Sequence, residues 1–311
     1  MHVLVYGAGS LGSLVGGLLA RTHEVTLVGR DPHMRRVRED GLSIEGAIEA
    51  HTQPRAVTDG TGERADVAIL TTKAYDTDSA ARALATGEYE TVLSLQNGLT
   101  EERLVAALSA TVLAGTTTYG ARLREPGTVE CTGLGEVTIG SLSGGFIPDA
   151  ERIVEAFRAA GMTAVLATDM PRRRWEKLAV NAGINGPTAL ADVDNAAIAA
   201  GPASDVGCEA AREVARVARS EGIDLSNADA LVALERVAEA TARNQSSMRR
   251  DLANGCRTEV EAIYGVVEDR AAAHGFDVPV CRTIADLVRA AQPDGDRHRR
   301  SADSMDRPDG G

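Results

Sequence analysis

Short apolar runs alternate with longer amphipathic stretches from Met1 to about Thr168. HVLVY (2–6), EVTLV (24–28), DVAIL (66–70) and TVLSL (91–95) read as buried strands, and VLAGTT (112–117) and TAVLA (163–167) extend the series. Segments 11–21, 76–86 and 100–109 carry helical spacing and fall between those strands. Strand and helix alternating in this way is the pattern of a parallel sheet covered by helices. One stretch differs. GTVECTGLGEVTIGS (127–141) holds two Thr/Val-rich runs around a glycine-containing turn, and it reads as a hairpin at the domain edge.

After Asp169 the period changes. From Pro171 to about Ala291 nearly every stretch has helical spacing, with Gly or Pro at the breaks: Gly186-Pro187, Gly201-Pro202, Gly222, Gly255 and Gly275. The pattern predicts an α/β Rossmann domain with a mostly parallel sheet over 1–168 and an all-α domain over 169–291. The remaining stretch, 292–311, is charged, lacks aliphatic periodicity and is expected to be disordered.

Composition narrows the function classes. At 311 residues the chain is long enough for two packed domains, and with 3% aromatic residues its cores must rest on Ala, Val, Leu and Ile. A net charge of −12 argues against a nucleic-acid partner, because phosphate backbones select basic surfaces. Cys131, Cys208, Cys256 and Cys281 form no CxxC pair, which is the usage of a reducing compartment. The six histidines are scattered without metal-ligand spacing, so no metal site is indicated. No apolar run is long enough for a bilayer and no charged-then-apolar leader precedes the first strand. A cytoplasmic protein without a membrane partner is expected. Of 33 basic side chains only Lys73 and Lys177 are lysines, and lysine, unlike arginine, can titrate when buried.

Gly7-Ala8-Gly9-Ser10-Leu11-Gly12 follows the first strand and opens the first helix. Gly7 permits the tight turn, Gly9 lets the backbone approach a pyrophosphate, and Gly12 lets helix pack on strand. The phosphates would then sit at a helix N-terminus. Where an NAD enzyme places an acid after the second strand, this chain has Gly29-Arg30. A guanidinium there grips a 2′-phosphate, which points to NADPH over NADH. A solvated arginine in an arginine-rich chain looks the same, and Asp31 lies beside it.

In RRRWEKLAVNAGINGPTAL (172–190), Lys177, Asn181 and Asn185 recur every fourth position and share one helix face. An ammonium and two amides in line could hold a carbonyl, a hydroxyl and a carboxylate. The apolar flanks argue that this face is not simply solvated. In RNQSSMRRDLANGCRTEVEAIYG (243–265), Asn244 and Ser247 are spaced as neighbours on one helical turn. Thr258 and Glu261 are spaced as a capping box, placing Glu259 in the first turn of a helix. Capping alone also accounts for Glu259.

Together these segments resemble the ketopantoate reductase family up to about residue 291. The resemblance rests on GAGSLG with Arg30, TTKAYDT around Lys73, LSLQNGL around Asn97, WEKLAVNAGIN with Lys177, and SSMRRDLANGCRTE ending at Glu259. It implies NADPH-dependent reduction of ketopantoate to pantoate, on the route to pantothenate and coenzyme A. It also implies a phosphogluconate-dehydrogenase-like helical second domain, and it admits a homodimer. Lys177 would be the catalytic lysine, with Glu259 completing the site. Asn181, Asn185, Asn244 and Ser247 would contact the substrate, a small keto acid bound in the interdomain cleft. Lys73 and Asn97 would lie along the cofactor. Gly186 before Pro187 and Ala196 after Asn195 depart from the family pattern and leave the pocket's shape open. Two alternatives stand at this stage: a related two-domain reductase acting on another 2-keto acid, and a non-catalytic NADP-sensing regulator.

Overall fold

The structure, a computed structural model, describes residues 1–293; the rest of the expected tail, 294–311, lies outside the described residues. The chain divides into two compact units, Met1–Arg174 and Trp175–Gly311.

Twelve strands build the first unit: β1 (His2–Tyr6), β2 (Glu24–Val28), β3 (Leu42–Gly46), β4 (Ala50–Thr52), β5 (Arg55–Val57), β6 (Arg64–Leu70), β7 (Glu88–Ser94), β8 (Thr111–Thr117), β9 (Gly120–Glu125), β10 (Thr128–Gly133), β11 (Val137–Ser141) and β12 (Ala164–Ala167). Eight form one sheet in the order β12-β11-β8-β7-β6-β1-β2-β5. All neighbours run parallel except β11 against β8. The chain leaves β1 toward β2 on one side and later returns to β6 on the other. The carboxyl ends of β1 and β6 therefore border a topological switch point, where open α/β sheets bind ligands.

Helices α1 (Ser10–Leu19), α2 (His33–Asp40), α3 (Thr77–Leu84), α4 (Glu101–Ala107) and α5 (Pro148–Ala159) accompany the strands, and α6 (Met170–Ala191) starts at the end of this unit. In α6, Arg174 pairs with the buried Glu101 in the first turn of α4, where the helix N-terminus also favours a carboxylate.

The expected hairpin over 127–141 does not form. Its halves belong to different sheets: β11 joins the large one, while β10 joins a four-stranded sheet of order β4-β3-β10-β9. The hairpin partner of β10 is β9, joined to it through Pro126-Gly127, with Gly127 at φ +84°. Proline followed by a residue of positive φ suits that turn. The small sheet covers α1 from the side opposite the large one. A Cβ on Gly16 would meet Leu27 of β2 at 2.3 Å, and one on Gly17 would meet Leu42 of β3 at 2.8 Å, so only glycine lets α1 fit between the sheets.

Buried His33 links this helix to the small sheet. Its Nδ1 accepts the Gly127 N–H at 2.9 Å, which leaves Nε2–H to donate to Ser13 of α1, also at 2.9 Å. Burial lowers the His33 pKa below its ordinary 6.5. The folded ring therefore stays neutral while the unfolded chain takes up a proton, and His33 contributes stability above pH 6.5 that is lost as pH falls below it. Melting temperature measured from pH 7.5 down to pH 5 should fall less steeply in His33→Gln, whose amide can both accept and donate but does not titrate. An unchanged slope would show that other groups govern acid stability.

The second unit continues α6 and adds α7 (Pro202–Ser220), α8 (Asn227–Ala240), α9 (Ser247–Ala253), a π turn over Glu261–Gly265, α10 (Val266–Ala273) and α11 (Pro279–Ala291). Gly201-Pro202 starts α7, and Gly222, Gly255 and Gly275 follow the ends of α7, α9 and α10. Gly186-Pro187, however, is not a break. The 22-residue α6 runs through it. Contacts from outside the helix hold this stretch together. Gly186 N–H donates to the Tyr264 hydroxyl, and Gly207 of α7 lies so close to Gly183 that a Cβ on it would stand 2.4 Å from the Gly183 carbonyl.

Two further local expectations are corrected. Asn244 and Ser247 do not share a helical turn: α9 begins at Ser247, and Ser246 in extended conformation caps it by accepting the Arg249 N–H. Asn244 lies in the linker, its carbonyl taking the Asn195 N–H. Nor do Thr258 and Glu261 form a capping box. The Thr258 N–H donates to Gln292 Oε1 at 2.7 Å, and Glu261 pairs with Arg289. Gln292, the first residue of the expected tail, is buried in that role.

Candidate active site

The glycine-rich loop leaves β1 and caps α1. Gly7 and Ala8 donate to the Val28 carbonyl at the end of β2, while Thr71 Oγ1 donates to Gly7 O, so both flanking strands fix the turn. Gly7 has φ +110°, and a Cβ there would meet Thr72 N at 2.6 Å; one on Gly12 would meet Gly7 O at 2.3 Å. Gly9 is the contrast. Its Cβ would find only Gly7 O, at 4.0 Å, so the space above it is open. No side chain caps the helix, and the first-turn N–H groups of Ser10, Leu11 and Gly12 lack helical acceptors. A diphosphate fits this cradle. The Ser10 hydroxyl accepts the Leu123 N–H of β9, tying the loop to the small sheet.

Arg30 follows β2 with its side chain 91% exposed and its Nη2 3.5 Å from Asp76. Asp31 does not compete for it: its carboxylate accepts the Arg35 N–H in the first turn of α2 and pairs with Arg38. Burial raises the Tyr6 pKa, and the negative charges of Asp59 and Asp76 raise it further.

Lys73 and Asn97 sit on the loops that follow β6 and β7. Buried Gln96 joins the two loops, donating to Thr72 O and Thr72 Oγ1 at 3.1 Å and accepting from Thr100 Oγ1 at 2.9 Å. Sequence reading passed over Gln96, although a polar residue at the end of an apolar run was the available signal.

In the second unit, Lys177, Asn181 and Asn185 lie on α6 as their spacing requires. Lys177 is half-buried and Asn185 is buried. Asn181 Nδ2 is shielded from solvent and has no hydrogen-bond partner within the described residues. A buried donor without an acceptor is costly, and a ligand oxygen would satisfy it. Glu259 is buried just ahead of the π turn. Ser247 is half-buried, and the neighbouring Ser246 accepts from Thr188 of α6 at 2.8 Å. Asn244 is exposed. Tyr264 was not anticipated from sequence. Its hydroxyl accepts from Gly186 N at 2.9 Å and donates to Ala182 O at 2.6 Å, which brings the segment carrying Glu259 onto α6.

No helix among the described residues is long and apolar enough to cross a membrane. Residues 3–144 match the family model described as ketopantoate reductase PanE/ApbA, and 169–292 match the model of its C-terminal part. The chain is 46% identical to a 2-dehydropantoate 2-reductase of Halobacterium salinarum over 95% of this chain and 100% of the relative. It is 37% identical to one of Archaeoglobus fulgidus over 94% and 98% of the respective chains. Among solved structures it resembles a ketopantoate reductase of Ralstonia eutropha (TM-score 0.85, 31% identity, 94% of this chain and 98% of that one). It also resembles D-mandelate dehydrogenase bound to NADH and anilino(oxo)acetate (TM-score 0.87, 25% identity, 94% and 98%). With both family models matched in order and a near-full-length relative at this identity, the chain belongs to the ketopantoate reductase family of NAD(P)-dependent oxidoreductases.

Proposed function

We propose that this chain reduces 2-dehydropantoate to pantoate with NADPH, a step on the route to pantothenate and coenzyme A, in the cytoplasm. The observation that carries the site assignment is the polar stripe on α6, in which Asn181 holds a buried donor with no acceptor among the described residues. Residues 1–168 serve as the cofactor domain and 169–291 as the substrate domain, with a homodimer as the assembly to test.

The Gly7–Gly12 cradle would hold the diphosphate, Arg30 the 2′-phosphate, and Lys73 and Asn97 the rest of the dinucleotide. When bound, the nicotinamide would supply the hydride. Lys177 donates to the ketone oxygen, stabilising the charge that develops there and delivering the proton, an interaction that strengthens toward the transition state. Asn181 and Asn185 fix the substrate along the helix, Asn244 and Ser247 contact its far end, and Glu259 orients a hydroxyl of the substrate or Lys177 itself. Arg30 favours NADPH because a guanidinium matches phosphate bidentately. NADH is the weaker cofactor on this reading.

A second reading, reduction of another 2-keto acid, draws on the likeness to D-mandelate dehydrogenase. Following NADPH oxidation with 2-dehydropantoate, the keto form of mandelate and straight-chain 2-keto acids separates the two. The highest kcat/KM is expected with 2-dehydropantoate. A clear preference for an aryl keto acid would overturn the substrate, and no turnover of any keto acid would leave a nucleotide-sensing protein.

A further inference from the structure

In a regular helix the Gly186 N–H donates to the Ala182 carbonyl. In α6 the Tyr264 hydroxyl bridges that rung, accepting from Gly186 N at 2.9 Å and donating to Ala182 O at 2.6 Å. Two features of the sequence admit it. Gly186 has no side chain, and a Cβ there would stand 2.3 Å from the Tyr264 oxygen and 2.2 Å from Ile284 Cγ2. Pro187 has no N–H, so the next rung, to Gly183 O, cannot form at all. At the following rung Thr188 Oγ1 donates back to Ile184 O at 2.7 Å, a contact that bends helices. A side chain inserted into the ladder is a recognised cause of a kink.

The altered rung spans 182–186, so Asn181 lies just before it and Asn185 inside it. Tyr264 is fully buried, stands on the π turn 261–265, and follows Glu259 in the same segment. Such π turns are frequent near functional sites. One hydroxyl thus contacts the turn of α6 that carries Asn185 and joins the segment of Glu259 to the same helix.

We propose that Tyr264 is a positioning residue for the keto-acid site, holding Asn185 in register with Lys177 through its bridge across the Ala182–Gly186 rung. The proposal rests on the reading of the α6 stripe as the substrate site. Tyr264 is fully buried with its hydroxyl on α6, so it would act through the helix and not on the substrate itself.

The test is a double-mutant cycle on the full chain, using Tyr264→Phe, Asn185→Ala and the double variant. Steady-state kinetics with 2-dehydropantoate, NADPH titration by fluorescence and thermal melting are read on each. Tyr264→Phe should raise KM for the keto acid about 10- to 100-fold, the scale of a misplacement of roughly an ångström, with the NADPH Kd unchanged. In the Asn185→Ala background the same substitution should add little to KM, because its route to the substrate has already been removed. A purely structural tyrosine would lower the melting temperature and leave KM untouched, or would multiply the Asn185→Ala defect, and either result overturns the proposal. Tyr264→Leu is the companion variant, since it leaves room for Gly186 to bond Ala182 directly without stranding two polar groups; the same rise in KM is expected. If Asn185→Ala and Asn181→Ala leave KM unchanged, the substrate-site reading falls and takes this proposal with it. If they raise KM and Tyr264→Phe does not, only the positioning role falls.

Discussion

Lys177→Ala should lower kcat by about 10²–10⁴, the range for loss of a general acid, while NADPH still binds with near-normal affinity. Lys177 projects from the same face of α6 as the two asparagines, whereas the other lysine, Lys73, stands on the loop after β6 in the first unit. Lys73→Ala should therefore show its defect chiefly as weaker NADPH binding. Lys177→Arg should rescue poorly, because a guanidinium keeps the charge but holds its proton and needs more room. Fluorescence titration of NADPH and steady-state rates on the three variants separate binding from chemistry. Full kcat in Lys177→Ala would return the α6 stripe to an ordinary polar face.

For Arg30→Ala the expected result is a KM for NADPH raised about 10- to 100-fold, as befits a lost charge-assisted phosphate contact, with the KM for NADH nearly unchanged. The exposed pair with Asp76 offers little resistance to a phosphate, since ion pairs of this kind contribute little. Asp76 is nonetheless a negative charge beside the arginine, so Asp76→Asn should shift preference further toward NADPH. Equal wild-type efficiency with both dinucleotides, unaltered by Arg30→Ala, would refute the cofactor assignment.

Most parallel strands of the large sheet were legible because each contains a short apolar run, a pattern that does not depend on what lies far away in the chain; β5, three residues long and partly exposed, was not. The small sheet was not. Its strands LSIEG, AHT and GARLRE are short, carry Glu, His and Arg, and are partly exposed, so they lack the apolar signal. Joining β10 to β11 followed from their adjacency in sequence, whereas β10 takes its parallel partner β3 from more than eighty positions away. Gly186-Pro187 read as a helix end because both residues disfavour helix locally, and the contact that overrides them comes from Tyr264, 78 residues on. The spacing of Lys177, Asn181 and Asn185 was readable because it lies within one helix. Asn244 and Ser247 were read as helical neighbours, and the cap at Ser246 undid that geometry. Tyr264 carried no local signal that distinguished it from a core aromatic.

The burial of α1 between two sheets has a consequence for how a ligand is received. The donors at the start of that helix are aimed before any phosphate arrives, because Gly16 and Gly17 lock it against β2 and β3 and His33 and Ser10 pin it to the small sheet. Their ordering is part of folding and adds no entropic cost to association. On the proposed reading, the affinity for a diphosphate at this loop is thereby coupled to the integrity of the small sheet: loosening β3, β9 or β10 would blunt recognition by letting the loop fluctuate.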